Sequence, residues 1–321
     1  MDAAKFLLDL EAKPATMRAL ADRLDTPDAA PMWPVDSADA PGRLLLTGMG
    51  SSWFAADTAA RRLRRAGVTA MADLASVEAN MPPANDLTVI AITASGGSLE
   101  TIDAVGPHYS RSRTFGLTNS PTAELPVEHI VQMHAGPEEG GVACRSYLHT
   151  LIALLQLERQ FTGGLSDLPD AVRRAADAVD HLLATRSEWL APLADVLGGP
   201  HGTWLLAPAE RLGNALQGAL MLREGPRRAA DGCETGDWNH VDVYLTKTLD
   251  YRALVFTGSR FDATAAQWMR DRGSRFALVG PPTLAGAEVV VRHPHDTDPL
   301  VRLLTEVLVP ELLAAHWWAG R

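Results

Sequence analysis

Short apolar runs alternate with amphipathic helical patterns along most of the chain. Four runs lie in the first half, each followed by a helical pattern or a loop, and they read RLLLTG, LTVIAITAS, RTFGLTN and HIVQMHAG. Four more lie in the second half and read GTWLLAP, RALVFTGS, RFALVG and AEVVVRHP. Strands that alternate with helices indicate βαβ units and parallel sheets, in which ligands bind at the loops that follow the strands. The pattern therefore predicts an α/β fold with two similar halves.

Helical patterns without strands flank and separate these halves. An amphipathic pattern predicts an N-terminal helix over 3–24, and the Pro-rich polar stretch 25–42 predicts a linker. Further patterns predict a polar connecting helix over 167–193 and a closing helix over 298–320. The predicted divisions are an N-terminal helix and linker over 1–34, a first domain over 35–165, a connecting helix over 166–194 and a second domain over 195–321.

Composition and charge narrow the possible partners. The 321 residues are 46% hydrophobic and 21% charged, an ordinary globular composition, and the formal net charge is -10. This acidic balance disfavours nucleic-acid and membrane binding, because both require a basic face. No apolar run reaches the roughly 20 residues that span a bilayer, and the N-terminus lacks the pattern of a secretory signal. We therefore expect a cytoplasmic protein that binds neither nucleic acid nor membranes.

The strand RLLLTG ends in a turn of small and hydroxyl-bearing residues. Gly48, Met49 and Gly50 precede Ser51 and Ser52, which open a helix. Glycines permit a tight backbone, and the free N–H groups and dipole of a helix N-terminus favour an anion. The turn is therefore either a site for an anion or a sugar hydroxyl, or a plain strand-to-helix turn with a serine cap.

The second apolar run repeats this arrangement. In ITASGGSLET the hydroxyls of Thr93, Ser95 and Ser98 surround Gly96 and Gly97 ahead of a helix. Backbone amides, hydroxyls and a helix dipole can together hold one phosphate monoester without a lysine. A P-loop is excluded because its Gly-Lys-Ser/Thr sequence is missing. The segment is therefore a candidate phosphate loop.

Two cysteines bear on metal and redox chemistry. Cys144 lies where AGPEEGGVACRSYLHT enters a helix beside Arg145, and it is either a nucleophile of lowered pKa or a buried residue that lines a pocket. Cys233 is the other cysteine, and neither a CxxC pair nor a Cys/His metal spacing exists. We therefore expect no disulfide, no metal and no cofactor.

A carboxylate and a histidine in the second half are candidates for proton transfer. Glu224 ends an amphipathic helix whose Leu216, Leu220 and Leu222 face the core, so its carboxyl can be partly buried with a raised pKa. His240 follows sixteen residues later in a Gly-containing loop. Taken alone, each can also be an ordinary surface residue.

Together these four segments, in this order, resemble the sugar isomerase (SIS) family, in particular the isomerase half of glucosamine-6-phosphate synthase. The most specific matches are the Gly-Ser-Ser turn at 50–52, ITASGGSLET, AGPEEGGVA, and ALQGALMLRE with a histidine sixteen residues after its glutamate. The resemblance runs over nearly the whole chain. It implies two tandem SIS domains, each a doubly wound, flavodoxin-like parallel sheet flanked by helices.

The resemblance implies which residues bind the substrate, a sugar phosphate. The family's phosphate contacts match Thr93, Ser95 and Ser98. Its sugar-hydroxyl contacts match Ser51, Ser52, Val142 and Cys144.

The resemblance also implies catalytic roles. Glu224 matches the base that moves a proton between C1 and C2 of the open-chain sugar through an enediol or enediolamine. His240 matches the residue that opens the sugar ring, which the neighbouring subunit often supplies. A homodimer with composite active sites is therefore expected.

Two departures from the family leave the reaction open. Met221 stands where the synthase has a lysine one helical turn before the base, and Gly97 replaces a glutamate of the phosphate loop. The leading function is an aldose-ketose isomerase for a sugar or amino-sugar phosphate. An amine-releasing deaminase or fructosamine-6-phosphate deglycase is the second alternative, since the same proton abstraction can expel an amine. The third is a binding module that senses a sugar phosphate without converting it.

Overall fold

The first sheet consists of five parallel strands. The structure is a computed structural model that describes residues 1–26, 31–35 and 42–320. The strands of this sheet are β1 (Arg43–Gly48), β2 (Ala70–Leu74), β3 (Leu87–Ile92), β4 (Arg113–Thr118) and β5 (His129–Gln132). They lie in the order β2-β1-β3-β4-β5, and every pairing is parallel. The α/β architecture predicted for this half is confirmed.

The second sheet repeats this topology. Its strands are β6 (Thr203–Ala207), β7 (Ala230–Glu234), β8 (Arg252–Phe256), β9 (Arg275–Val279) and β10 (Val289–Val291). They lie in the order β10-β9-β8-β6-β7, again with parallel pairings. Numbered within its own half, each sheet has the order 2-1-3-4-5 of flavodoxin-like doubly wound folds. The prediction of two tandem domains of this kind is confirmed.

Helices follow the strands in both halves. The α-helices are α1 (Ala3–Glu11), α2 (Lys13–Asp25), α3 (Ser51–Arg65), α4 (Leu99–Val105), α5 (Arg145–Thr162), α6 (Leu168–Ala184), α7 (Arg186–Leu197), α8 (Leu212–Glu224), α9 (Thr235–Trp238), α10 (Asp262–Asp271), α11 (Pro299–Thr305) and α12 (Leu308–Ala319). Short 3-10 helices cover Gly106–His108, Ala209–Arg211 and Asp242–Lys247. In the part of the chain that the structure describes, no helix combines the length and apolar character that a membrane span requires.

Three helices that the pattern predicts as continuous are each divided in two. The N-terminal helix breaks at Ala12 and the closing helix breaks before Leu308, in each case just ahead of a proline, Pro14 or Pro310. Proline lacks the N–H that a helix interior needs, and its ring clashes with the carbonyl four residues earlier. A proline is tolerated in a first helical turn, so a new helix begins there. The connecting helix is divided at Thr185, between α6 and α7.

Two edge strands are absent from the sequence prediction. β2 and β7 each pair with a single neighbour, and their residues are mostly half-buried or exposed. β7 reads ADGCE, without the β-branched and aromatic residues that favour strands. The sequence between Glu224 and His240 is therefore partly a strand and not only a loop.

The predicted linker over 25–42 contains an anchored residue. Residues 27–30 and 36–41 lie outside the described residues. Trp33 is fully buried, and its indole N–H donates to the Ala153 carbonyl at 2.7 Å. Its ring also meets Phe115 edge to face, with centroids 5.9 Å apart. Trp33, which lies within the predicted linker, thus packs into the core beside the first sheet.

Internal contacts divide the chain into two bodies. The second-sheet body comprises Met1–Ala15, Glu138–Val142 and Ala171–Arg321, and the first-sheet body comprises Thr16–Pro137 and Ala143–Asp170. Residues 1–15 and 138–142 thus pack within the second-sheet body although they precede it in sequence. The contiguous divisions inferred from the sequence stay a prediction.

Candidate active site

Five of the predicted site residues lie at one edge of the first sheet. β1 and β3 are neighbours at the point where the strand order reverses, and open α/β sheets bind their ligands at this switch point, outside the carboxyl ends of the strands. The turn after β1 carries Ser51 and Ser52. The loop after β3 carries Thr93, Ser95 and Ser98. The topology therefore brings these hydroxyls to the place where a ligand is expected.

The turn after β1 depends on two glycines. A Cβ at Gly48 would lie 2.8 Å from both the Ile92 carbonyl oxygen and the Ser52 Cβ, so only glycine allows this close approach. Gly50 precedes α3 with a φ of 52°, in the left-handed region that favours glycine. Ser51 and Ser52 are half-buried and open a helix of 15 residues. Their hydroxyls therefore lie at the positive end of a long helix, where an anion or a sugar hydroxyl is favoured.

The loop after β3 is a tight turn in which a serine hydroxyl accepts a hydrogen bond from a backbone amide of the same loop. Thr93 is buried, and its N–H donates to the Leu117 carbonyl of β4 at 3.0 Å. Gly96 has a φ of 73°, and a Cβ there would lie 2.4 Å from another side chain. The exposed Ser95 hydroxyl accepts a hydrogen bond from the Gly97 N–H at 3.2 Å. A phosphate oxygen can replace this neutral, exposed acceptor.

Ser98 already has partners within its own helix. Its Oγ accepts the Thr101 N–H at 3.4 Å as the cap of α4, and it donates to the Glu100 carboxylate at 2.9 Å. Hydrogen bonds from the Glu100 N–H and from Ser98 hold the pKa of Glu100 below its ordinary value. A phosphate on Ser98 therefore competes with an ionised carboxylate. The sequence prediction missed Glu100, although an acidic residue two positions after a cap is a signal for this contact.

The predicted sugar-binding turn at Val142 and Cys144 has buried side chains. Val142 is 3% exposed, and Cys144, which precedes α5, is 0% exposed. Burial of the thiol favours the alternative in which Cys144 lines a pocket over an accessible nucleophile. The contact of this turn with a sugar stays a prediction. Over the described ranges, His, Cys, Asp and Glu residues form no group of three or more that could hold a metal ion.

Glu224 is a half-buried carboxyl at the end of α8. Burial raises the pKa of Glu224, and the nearby charges of Arg227 and Arg223 oppose this effect. Within residues 1–26, 31–35 and 42–320 its carboxyl makes no hydrogen bond or ion pair. The raised pKa inferred from the sequence is confirmed. A carboxylate with a raised pKa and an open acceptor is the arrangement that a general base requires.

Close backbone contact with β7 fixes the position of α8. A Cβ at Gly232 would lie 2.7 Å from the carbonyl carbon of Ala215, so the strand and the start of the helix touch. At the other end of α8, the Arg228 N–H donates to the Leu222 carbonyl at 3.0 Å, just before β7 begins. α8 therefore runs antiparallel to β7 and leaves Glu224 near the amino end of that strand.

His240 lies beyond the opposite end of β7. It is exposed, it follows α9, and its N–H donates to the Asp237 carbonyl at 2.8 Å. His240 lines an open groove with a volume of 690 Å³. The other residues of this groove are Glu234, Gly236, Asp237, Asn239, Phe261 and Thr264. The imidazole is thus free to meet a ligand or another chain at the carboxyl edge of the second sheet.

The two predicted catalytic residues of one chain therefore lie at opposite edges of the second sheet. β7 has five residues, and at about 3.3 Å per residue it spans roughly 13 Å. Glu224 lies before its first residue and His240 after its last. Isomerisation needs both groups close to one sugar, because the carbon that loses its proton is bonded to the carbon that carries the ring oxygen. The fold thus separates two side chains that the sequence prediction assigned to one reaction.

Sequence comparison finds curated relatives, whereas no family model matches the chain. The chain is 27% identical over 307 residues to glutamine–fructose-6-phosphate aminotransferase (isomerizing) of Aeropyrum pernix, with 87% of this chain and 49% of that protein covered. It is 26% identical over 359 residues to the aminotransferase of the same name from Thermosynechococcus vestitus, with 98% and 56% covered. The chain thus spans about half the length of these relatives.

Solved structures share the fold at lower identity. The C-terminal domain of glucosamine-fructose-6-phosphate aminotransferase from Francisella tularensis matches with a TM-score of 0.84 at 16% identity, over 98% of this chain and 95% of that one. Tagatose-6-phosphate ketose/aldose isomerase from Escherichia coli matches with 0.81 at 16% identity, over 100% and 95%. Glucosamine-6-phosphate deaminase from Thermotoga maritima matches with 0.70 at 15% identity, over 99% and 95%. These neighbours share the tandem architecture.

Proposed function

We propose that this chain, an SIS-family protein that resembles the isomerase half of glucosamine-6-phosphate synthase, binds a sugar phosphate and moves a proton between C1 and C2 of its open-chain form. The observation that carries the proposal is Glu224. Its carboxyl is half-buried, has a raised pKa and an open acceptor, and stands at the position that matches the family's base.

The loop after β3 is the proposed phosphate site. Thr93, Ser95 and Ser98 supply hydroxyls, and the amides between them supply further donors. Ser95 is the best placed of the three, because it is exposed and its present partner is only a backbone amide. A dianionic phosphate forms charge-assisted hydrogen bonds that are stronger than this neutral one. Ser51 and Ser52 are the proposed contacts of the sugar hydroxyls.

Glu224 is the proposed base for the carbon-bound proton. The proton next to a carbonyl is weakly acidic, so its removal is faster when the pKa of the base is raised while the base is still ionised. Burial of Glu224 acts in this direction. Met221, which is buried, replaces the lysine that the synthase has one turn earlier. Proton transfer in this chain therefore does not use an amine at that position.

His240 is proposed to serve the Glu224 of another chain. Within one chain the two residues lie at opposite ends of β7, whereas ring opening and proton abstraction occur on adjacent atoms. An exposed His240 at the edge of an open groove can approach the active site of a second copy. The proposed assembly is therefore a homodimer with two composite sites, each combining Glu224 of one protomer with His240 of the other.

Glu224→Gln tests the base directly. The amide keeps the shape of the side chain but cannot accept the proton, so turnover is expected to fall about 10²-fold or more while ligand binding persists. Glu188→Gln is the matched control, because Glu188 is an exposed glutamate on α7 in the same body. Aldose-ketose exchange is measured with fructose 6-phosphate, and amine release with glucosamine 6-phosphate and fructosamine 6-phosphate.

The three substrates separate the possible reactions. Exchange without amine release supports the isomerase, and Glu224-dependent amine release assigns the deaminase or deglycase reaction in its place. If the chain binds these compounds without converting any of them, a binding function remains. If Glu224→Gln turns over as fast as Glu188→Gln, the base assignment is wrong and another group takes the proton.

A further inference from the structure

The second sheet has its own counterpart of the proposed phosphate loop. β8 is the third strand of its half, as β3 is of the first, and it also lies at the switch point of its sheet. A threonine follows each strand and bonds to the next strand in the same way. The Thr93 N–H donates to Leu117 at 3.0 Å, and the Thr257 N–H donates to Val279 at 3.1 Å. The loop after Thr257 therefore occupies the position of a ligand-binding loop.

Two buried arginines converge on this loop. Arg211 follows β6 and Arg302 belongs to α11, and each is 8% exposed. Both guanidinium groups donate to the Thr257 carbonyl oxygen, and Arg302 also donates to the Thr257 hydroxyl at 3.1 Å. A Cβ at Gly258 would lie 3.0 Å from Arg302 Nη1 and 3.3 Å from Arg211 Nη2. Two positive charges thus lie against the backbone where a ligand would be expected.

Two carboxylates of the chain occupy this environment. Glu306 is 0% exposed and lies between the arginines, with Oε1 2.7 Å from Arg302 Nε and Oε2 2.9 Å from Arg211 Nε. Asp262 is 4% exposed, and its Oδ2 accepts the Gly258 N–H at 2.5 Å. Burial raises the pKa of Asp262 and lowers that of Arg211, so water contributes little to the solvation of this cluster. Two guanidinium and two carboxylate groups balance in charge.

The two loops share one contact, since the Phe261 N–H donates to the Ser259 hydroxyl at 3.2 Å as the Gly97 N–H does to the Ser95 hydroxyl. The second loop adds a contact at the amide directly after its threonine, where the Gly258 N–H donates to the buried Asp262 carboxylate. We propose that the switch point of the second sheet is an oxyanion site that the chain fills with its own Glu306 and Asp262, and that a small oxyanion such as formate or phosphate enters when a carboxylate is removed. The comparison of the loops rests on the proposed function, and it implies one phosphate per chain.

Glu306→Ala tests this site by chemical rescue. Removal of the carboxylate leaves two buried guanidinium groups with Asp262 as their one remaining counter-charge in the cluster, so the variant is expected to unfold at a lower temperature than the wild type. Formate, added at constant ionic strength with chloride, should then raise its Tm by about 2 °C or more, because an anion that binds only the folded state stabilises it. Glu288→Ala is the control, since it removes a carboxylate from an exposed ion pair with Arg275. The wild type and Glu288→Ala should show no such rise.

Asp262→Ala provides a second test if Glu306→Ala does not fold. This variant frees the Gly258 N–H, and its Tm should rise with inorganic phosphate more than that of the wild type. The proposal is overturned if neither variant responds to its anion beyond the wild type and Glu288→Ala. The double variant Asp262→Ala/Ser95→Ala shows which of the two loops binds the phosphate. It thereby separates a failure of this proposal from a failure of the proposed function. The phosphate response should persist in that double variant, and its loss would place the anion in the first loop.

Discussion

Lys13 and Glu311 form a fully buried ion pair within the second-sheet body. Both side chains are 0% exposed, and the Lys13 ammonium contacts Oε2 of Glu311. The other carboxylate oxygen has no hydrogen-bond partner among the described residues. The pair joins the start of α2 to the first turn of α12. Lys13→Met therefore leaves a buried carboxylate without its only close cation in the described chain.

The expected cost of Lys13→Met follows from this burial. An uncompensated buried charge typically lowers the free energy of unfolding by about 3–5 kcal/mol. Burial raises the pKa of Glu311 from 4.5 to about 7, with the Lys13 charge opposing this shift and the Glu138 charge adding to it. Without Lys13 the pKa rises further. Because the pKa of Glu311 is higher in the folded protein than in the unfolded chain, the free energy of unfolding is larger at low pH, where Glu311 is protonated. This contribution is lost as the pH rises through the folded pKa.

Urea unfolding near pH 5.5 and near pH 8 measures this effect. Lys13→Met should lose about 3–5 kcal/mol near pH 8 and clearly less near pH 5.5, where Glu311 binds a proton. Lys13→Met/Glu311→Leu should recover most of the loss, because an apolar pair replaces the buried ions. Lys5→Met is the control, since Lys5 and Glu139 form an exposed pair at 3.8 Å and should matter little. An equal loss at both pH values, or a loss no larger than that of the control, would refute the reasoning.

Two further predictions concern the proposed active site. Ser95→Ala should raise KM for a phosphorylated substrate about 10- to 150-fold, since a hydrogen bond to a charged group contributes about 1.5–3 kcal/mol. Steady-state kinetics measure this change. The same change in KM for the unphosphorylated sugar would rule out a contact between Ser95 and the phosphate. Mixing Glu224→Gln and His240→Ala proteins should restore part of the activity, because mixed dimers contain one intact pair; an activity assay that shows no recovery after subunit exchange would contradict the two-chain site.

The central strands of both sheets could be predicted from the sequence. Runs such as LLL in β1 and VIAI in β3 are buried on both faces, and this leaves a continuous apolar signal. The loops that follow them are therefore also predictable, and with them Ser51, Thr93 and Ser95. The confirmed two-domain α/β fold rests on these strands.

The edge strand β7 could not be predicted in the same way. An edge strand pairs on one side only, so Asp231 and Gly232 are compatible with it although both are poor strand formers. Without β7, the fifteen residues between Glu224 and His240 read as one loop that could bring both side chains together. The strand separates them, and only the structure shows this.

Tertiary partners account for the remaining misses. Trp33 lies in a polar, Pro-rich stretch, and its burial depends on a carbonyl that is 120 residues away in the chain. The charged cluster around Glu306 likewise draws on residues after β6, after β8 and in α11. No local periodicity reports such contacts, because each partner lies on a different element.

The contact of Gly232 in β7 with α8 affects the position and orientation of the Glu224 side chain. From Ala215, where the helix touches Gly232, α8 continues for nine residues, or roughly 13 Å at about 1.5 Å per residue. A tilt of α8 by about 5° about its contact with Gly232 therefore moves Glu224 by about 1 Å. A displacement of about 1 Å at a reacting group can slow a reaction about 10²-fold. In the proposed reaction, Gly232 would therefore control how accurately the Glu224 carboxylate faces the proton that it removes.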